Sequence, residues 1–281
     1  MTGDDAGPAE DPAAVAAANP EPNWEGRAPV HAVGIGPGNP DYLTRRAEQT
    51  IAGADAIVGF ETVVGYVRDL TDADALACGY DDQTETLAAF ADRVAAGADG
   101  VAVLMGDPSY SGYAFLGRVE AALDRPVRVL PGVSSLQVAA GRARTPMEAS
   151  TFVTLHRRGP LGADRERLRR DAGNRHLLVL PRPYDWMPGD VAADLREAGA
   201  PADLPALVYE RLTHDDETVT RTTLGELATH AGGNGPEETP FDDLSVLVVR
   251  AEHPLGAGRD DVTAPGDRTG ARTGGGSGEG G

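Results

Sequence analysis

The order of apolar runs and helix-like stretches along the chain is the feature that most restricts its fold. Four apolar runs of strand length lie in the first half, at 30–35 (VHAVGI), 55–59 (DAIVG), 101–105 (VAVLM) and 127–130 (VRVL). Stretches with apolar residues at helical spacing separate them, as at 43–54 and 84–97. This alternation predicts a parallel β-sheet covered by α-helices.

The alternation begins again after the polar stretch 141–150. The later runs lie at 151–155, 176–180, 206–210, 217–224 and 244–249. The segment between the third and fourth of these runs is too short for a helical crossover, so the two strands are predicted to be antiparallel neighbours. The fold class is therefore α/β with two domains, at 29–146 and 147–254, carrying a parallel sheet in the first and a mixed sheet in the second.

Both ends of the chain differ in composition from the rest. Residues 1–28 consist mainly of Ala, Pro and acidic residues, and residues 255–281 are rich in glycine. Neither segment has enough large apolar side chains to offset the conformational entropy lost on folding. Both are predicted to be disordered.

Charge and residue usage exclude several classes of function. The formal net charge is −19, and all 25 basic residues are arginine. Such a chain lacks the basic surface that nucleic-acid binding requires, so no nucleic-acid partner is expected. An acidic surface without lysine is typical of adaptation to a salt-rich cytoplasm.

Metal, disulfide and membrane features are also missing from the sequence. One cysteine excludes an internal disulfide, and the six histidines lack ligand spacing, so no protein-bound metal is expected. No apolar run approaches about 18 residues and no apolar leader opens the chain. These features predict a cytoplasmic protein without a membrane partner.

A glycine-rich loop follows the first predicted strand. Gly34, Gly36 and Gly38 are spaced G-x-G-x-G, and Pro37 and Pro40 interrupt the turn. A dinucleotide-binding loop needs its third glycine three residues after the second, where that glycine opens a helix. An NAD(P)H-dependent oxidoreductase is therefore the weaker hypothesis, and an ordinary tight turn is another alternative.

Two further polar loops follow predicted strands. Asp107 in GDPSY (106–110) is suited to accept hydrogen bonds from a ligand, or else to cap the next helix. Ser134 and Ser135 in PGVSS (131–135) open a helix, where they either bind a polar group or serve as an N-cap. Because the carboxyl ends of parallel strands meet at one sheet edge, the three loops are predicted to converge on one cleft.

The three loops together resemble the tetrapyrrole methylase superfamily. The resemblance rests on VGIGPGNPDYLTRRAEQTI, MGDPSY and LPGVSSLQVAAGRARTPMEASTFVTLHRR, and it covers residues 30–250. It implies two α/β domains with S-adenosyl-L-methionine in the cleft between them. Within the superfamily, SSLQVAA and TLHRRG are most similar to the enzymes of cobalamin biosynthesis that methylate C5 of cobalt-precorrin-7. In that reaction the cobalt is carried inside the substrate. The C11 and C20 precorrin methylases, diphthine synthase and a non-catalytic binding module remain alternatives.

The resemblance also implies roles for particular residues. The implied cofactor-binding residues are Pro37, Gly106, Asp107, Tyr110, Ser134, Ser135 and Leu180. The substrate carries many carboxylates, which arginine binds well, and the candidates to bind them are Arg142, Arg144, Arg157 and Arg158. His156 is a candidate general base, with an ordinary surface histidine as the alternative, and no catalytic residue is otherwise identified. Residues 165–170 (RERLRR) are interpreted as a solvated helix face, and a homodimer is expected.

Overall fold

The computed structural model describes residues 11–18, 26, 28–157, 159–183, 185–232 and 239–252. These residues form two five-stranded sheets with helices packed on them. The strands are β1 (Val30–Gly34), β2 (Ala56–Phe60), β3 (Asp74–Cys78), β4 (Gly100–Leu104), β5 (Val127–Leu130), β6 (Ser150–Thr154), β7 (His176–Leu180), β8 (Pro205–Glu210), β9 (Thr218–Thr223) and β10 (Ser245–Val249). The α-helices are α1 (Pro12–Ala18), α2 (Arg45–Ala52), α3 (Glu61–Val67), α4 (Gln83–Ala95), α5 (Tyr113–Ala122), α6 (Ser135–Ala143), α7 (Gly162–Asp171), α8 (Pro188–Glu197) and α9 (Leu224–Leu227).

The first sheet is parallel throughout and has the strand order β3-β2-β4-β1-β5. Side chains of α4 and α5 form the core on one face, and those of α2 and α3 form it on the other. The prediction of a parallel sheet is therefore confirmed. Sequence analysis missed β3, because DALAC is a half-exposed edge strand of small residues and forms no apolar run.

The second sheet is mixed and has the strand order β6-β7-β10-β8-β9. Strands β6 and β7 are parallel, whereas β10 runs antiparallel to both β7 and β8. Strands β8 and β9 pair antiparallel, from Pro205↔Thr223 to Glu210↔Thr218. The mixed sheet and the predicted antiparallel pair are both confirmed.

Helix α6 follows β5 of the first sheet but packs on the second. Its buried residues Leu136, Ala139 and Ala140 contact the face formed by Leu178 and Val248. Helix α6 therefore joins the two units, and the apolar core beneath it belongs to the second sheet. The boundary near residue 147 stays a prediction.

The N-terminal segment contains a helix where disorder was predicted. Helix α1 is alanine-rich, and Asp11 caps it by accepting a hydrogen bond from the N–H of Ala13 at 3.1 Å. Alanine has the highest helix propensity, and Ala16 packs against the core of the first sheet. The other residues of 1–28, apart from 11, 26 and 28, lie outside the described structure, as does all of 255–281.

The interpretation of residues 165–170 as a solvated face is wrong for two arginines. On α7, Arg165 Nε and Arg169 Nε donate to the carboxylate of Asp194 at 3.1 and 2.9 Å, and Asp194 is only 7% exposed. Burial raises the pKa of Asp194, but hydrogen bonds from Arg169 and Arg165 outweigh it and lower the pKa overall. Arg165 also lies over the ring of Trp186 at 4.4 Å. These arginines fasten α7 to α8.

Candidate functional site

The three polar loops lie together at the carboxyl edge of the first sheet, where β4, β1 and β5 are neighbours. The backbones of Gly36 and Gly106 exchange two hydrogen bonds, with N–O distances of 3.2 and 2.8 Å. The N–H of Gly132 in the third loop donates to Asp107 Oδ2 of the second at 3.2 Å. The convergence expected from the strand ends is therefore present.

Glycine is required at this junction for close packing of backbone on backbone. A Cβ on Gly34 would lie 2.6 Å from both the carbonyl oxygen of Gly106 and the nitrogen of Gly132. A Cβ on Gly132 would lie 2.2 Å from the same carbonyl oxygen. Both distances are far inside van der Waals contact, so no side chain fits at either position without separating the loops. Pro37 is buried within the first of these loops.

Asp107 holds two of the loops in place. Its Oδ1 accepts from the N–H of Ser109 at 2.8 Å, which caps the π-helical turn Pro108–Gly112, while Oδ2 accepts from Gly132. The capping alternative for this residue is thus correct. Each carboxylate oxygen can accept a further hydrogen bond, so capping and ligand binding are compatible.

Ser134 has the cap role considered for it. Its Oγ accepts from the N–H of Leu136 at 3.2 Å, and its own N–H donates to Gln137 Oε1 at 2.8 Å, forming a capping box on α6. Ser135 lies half-buried in the first helical turn. Tyr110 is also half-buried, 6.0 Å from Phe152 between ring centroids. Burial and then Asp107 raise the pKa of Tyr110, so its hydroxyl stays a donor.

The β8–β9 loop (residues 211–217) of the second sheet lies against the first glycine loop. Asn39 Nδ2 donates to the carbonyl oxygen of Thr213 at 2.7 Å, across 174 positions of sequence. A Cβ on Gly38 would lie 2.7 Å from two ring atoms of His214, whose ring centroid is 5.8 Å from that of Tyr66. The β8–β9 loop is therefore part of the site, and sequence reasoning did not identify Asn39 or Thr213.

The backbone of the β8–β9 loop is strained. Arg211 and Thr213 have φ values of 49° and 79°, and a positive φ at a β-branched residue is a rare outlier. Thr213 is held there by Asn39 and by Glu217 Oε2, which accepts from the N–H of Thr213 at 2.7 Å. Its buried hydroxyl has no hydrogen-bond partner among the described residues. Strain and an unpaired buried hydroxyl are typical of a segment shaped for ligand binding.

The three described arginines among those proposed to bind substrate have different surroundings. Arg142 forms an ion pair with Glu217 and a hydrogen bond with Tyr42. Arg144 is exposed at the end of α6, in a left-handed conformation with φ 56°. Arg157 is exposed and forms an ion pair with Asp164. Arg158 lies outside the described residues.

Leu180 and His156 lie at the carboxyl edge of β7 and β6. Leu180 is half-buried against the core shared with α6, and its carbonyl oxygen accepts from the N–H of Leu155 at 2.8 Å. His156 is exposed and forms a hydrogen bond with the carbonyl of Pro181. Partial loss of hydration next to the surrounding protein lowers the pKa of His156, although Asp243 and the carbonyl of Pro181 each act to raise it. The imidazole is therefore neutral at pH 7.

The first loop does not have the geometry of a dinucleotide-binding loop. Helix α2 begins at Arg45 behind an N-cap at Thr44, so none of the loop glycines opens a helix, as a dinucleotide-binding loop requires. Among the residues that the structure describes, no three His, Cys, Asp or Glu side chains are grouped to hold a metal. Asp107 and Tyr110, both half-buried, offer an acceptor and a donor to a polar ligand. No helix in the described part of the chain is long and apolar enough to cross a membrane.

Comparisons with known proteins agree with this architecture. A probable cobalt-precorrin-7 C(5)-methyltransferase of Methanocaldococcus jannaschii is 25% identical in an alignment of length 233 that covers 80% of this chain and 100% of that protein. A siroheme synthase of Gluconobacter oxydans is 29% identical over 72% of this chain, and the matched part is only 46% of that enzyme.

Solved structures show the same fold. The uroporphyrin-III C-methyl transferase of Thermus thermophilus, solved as a complex with S-adenosyl homocysteine, has a TM-score of 0.58 and 23% identity, covering 79% of this chain and 92% of its own. The family model of the tetrapyrrole (corrin/porphyrin) methylases matches residues 29–228, which include the three loops and the β8–β9 loop. The chain belongs to the tetrapyrrole (corrin/porphyrin) methylase family.

Proposed function

We propose that this protein is an S-adenosyl-L-methionine-dependent C-methyltransferase of cobalamin biosynthesis that methylates C5 of cobalt-precorrin-7. Membership of the methylase family and the full-length match to a probable enzyme of that activity support the proposal. The observation that carries it is the convergence of three polar loops from one sheet with a strained loop from the other.

S-adenosyl-L-methionine would supply an activated methyl group on a sulfonium. Transfer of that group to carbon is an in-line displacement, so the protein mainly has to align donor and acceptor, which is worth several kcal/mol in such reactions, about 7–11 at most. Rigid loops suit this task because they hold their geometry without reorganising. Asp107 would accept hydrogen bonds from the cofactor, and Tyr110 would donate one.

The acceptor is a macrocycle with many carboxylates, whereas the protein carries a net charge of −19. Local arginines would offset the repulsion between the two. Arg144 is exposed and suited to this role, and Arg158 is included on sequence grounds. Arg157 is exposed but paired with Asp164, so it would bind a carboxylate only by exchanging partners. Arg142 is already paired with Glu217 and would bind a carboxylate only by exchanging partners. His156, neutral at pH 7, is the candidate to accept the proton lost from the ring carbon.

Methylation of a different tetrapyrrole is the alternative function. The siroheme synthase relative favours it, because its sequence identity over the matched part is 29%, against 25% for the probable C(5)-methyltransferase. Methylation at C11 or C20 of a precorrin uses the same cofactor chemistry and belongs to the same alternative. The proposal further includes a homodimer in a salt-rich cytoplasm. Light scattering at high salt would test the dimer.

Calorimetric titration with S-adenosyl homocysteine tests the cofactor assignment. We expect binding by the folded protein in concentrated salt, and a clear loss of affinity in Asp107→Ala, because both a ligand contact and a loop contact are removed. Ser109→Ala is the matched control, since Ser109 contributes only its backbone N–H to this cap. Folded wild-type protein that binds no S-adenosyl homocysteine would contradict the proposal.

A further inference from the structure

Asn39 joins the two halves of the site through one side chain. Its Oδ1 accepts from the N–H of Asp41 at 2.9 Å, which caps the short turn at 40–42 within the first domain. Its Nδ2 donates to the carbonyl oxygen of Thr213 at 2.7 Å in the second domain. A donor and an acceptor on one planar amide thus serve two partners, and only this orientation of the amide satisfies both.

The partner carbonyl belongs to the most strained residue of the β8–β9 loop. Thr213 is 6% exposed and has a φ of 79°, which costs about 1–3 kcal/mol unless contacts hold it. Asn39 holds its carbonyl, and Glu217, which is paired with Arg142 of α6, holds its N–H. Both backbone polar groups of Thr213 are therefore fixed by side chains, one from the first glycine loop and one from the end of the β8–β9 loop.

The contact reaches the cofactor loops through Gly38 and Gly36. Gly38 packs against the imidazole of His214, and Gly36 is hydrogen-bonded to Gly106 of the second loop. The three loops of the first sheet are hydrogen-bonded to one another. A shift of the β8–β9 loop would therefore change its distance from those loops without deforming them. The three loops of the first sheet form one wall of the site, and the β8–β9 loop forms the second wall. The separation between the two walls depends on a small number of side-chain contacts.

We propose that Asn39 is a positioning residue, whose hydrogen bond to the Thr213 carbonyl fixes the separation of the two walls of the cofactor site. The proposal deepens the proposed function and rests on it for the identity of the ligand. Asn39 touches no reacting atom in this account. It acts through the β8–β9 loop.

Asn39→Asp separates the two roles of the side chain. A carboxylate keeps the acceptor for the N–H of Asp41 but cannot donate to Thr213, and it places a negative charge beside that carbonyl oxygen. Asn39→Ala removes both roles. Asn174→Asp is the matched control. Asn174 also donates to a backbone carbonyl, that of Arg170, and it lies in an exposed turn just before β7.

Two measurements on the full chain test the proposal. Amide hydrogen exchange should become at least tenfold faster at residues 213, 214 and 217 in Asn39→Asp, but not in Asn174→Asp. S-adenosyl homocysteine should bind about tenfold more weakly to Asn39→Asp, and KM for S-adenosyl-L-methionine should rise more than kcat falls.

The outcomes separate this proposal from the proposed function. Wild-type protein that binds no S-adenosyl homocysteine would contradict the proposed function, while the exchange measurement would still test the contact with Thr213. If wild type binds and Asn39→Asp matches it in both affinity and amide exchange, the positioning role is wrong. The same conclusion follows if only Asn39→Ala is impaired, because Asn39 would then act only as a cap.

Discussion

The two walls of the site are built by different means. The first wall consists of the three loops of the first sheet, which pack backbone to backbone, since Gly34 and Gly132 leave no room for a side chain between them. The second wall, the β8–β9 loop, keeps a strained backbone because side chains of Asn39 and Glu217 hold Thr213. One wall is therefore rigid by close packing, and the other is held in place by a few exchangeable hydrogen bonds.

The two walls differ in how easily each can move. Loops packed backbone to backbone keep a fixed geometry for a small cofactor. A loop held by side chains can be released or re-aimed at a cost of about 1 kcal/mol per hydrogen bond. The first wall is thus expected to govern whether the protein folds, and the second to govern how well the site is formed.

The largest effect is expected from Gly132→Ala. The new Cβ would lie 2.2 Å from the carbonyl oxygen of Gly106, so the loops must separate, and we expect unfolding to become easier by about 3 kcal/mol. Urea denaturation followed by circular dichroism measures this change. Gly65→Ala is the control, because no atom lies within 4 Å of its Cβ position in α3, and it should stabilise by about 1 kcal/mol. Equal stabilities of the two variants would show that the first wall is not closely packed.

A smaller effect is expected from Glu217→Ala in the second wall. The substitution removes the acceptor for the N–H of Thr213 and the ion pair with Arg142, so a loss of about 2 kcal/mol in the free energy of unfolding is predicted. Glu217→Gln keeps an acceptor oxygen for Thr213 and loses only the charge, which should cost about 1 kcal/mol or less. If Gln is as damaging as Ala, the ion pair dominates and the backbone hydrogen bond is unimportant.

The smallest effect concerns pH, and it probes a side-chain contact remote from both walls. His176 is 3% exposed, and its Nδ1 accepts from the N–H of Ala251 at 3.1 Å. Burial, with Arg250 and Arg175, lowers the pKa of His176, so the folded state binds a proton less readily than the unfolded state. The stabilisation from neutral His176 is therefore complete above its pKa in the unfolded state, about 6.5. As the pH falls below that value, the free energy of unfolding decreases by about 1 kcal/mol per pH unit.

Urea denaturation between pH 7.5 and 5.5 measures that slope. His176→Gln keeps an acceptor without titrating in this range and should flatten the slope. The part that remains is expected to come from His31, whose pKa is also lowered, chiefly by burial. An unchanged slope in His176→Gln would contradict the assignment.

The first wall could be predicted from the sequence, whereas the second could not. Strand–loop–helix order places Gly36, Asp107 and Ser134 at one sheet edge, because parallel strands share the direction of their carboxyl ends. The contact between Asn39 and Thr213 spans 174 positions, and no local pattern records it. Nor does a local pattern show that α6 packs on the second sheet, since its apolar spacing fits either one.

Isotope labelling can locate the carbon to which the protein transfers the methyl group. The protein would be incubated with cobalt-precorrin-7 and S-adenosyl-L-methionine carrying a ¹³C-labelled methyl group, and the product examined by NMR. We expect one labelled methyl group, bonded to C5 of the macrocycle. A label at another ring position, or no transfer by protein that binds S-adenosyl homocysteine, would contradict it.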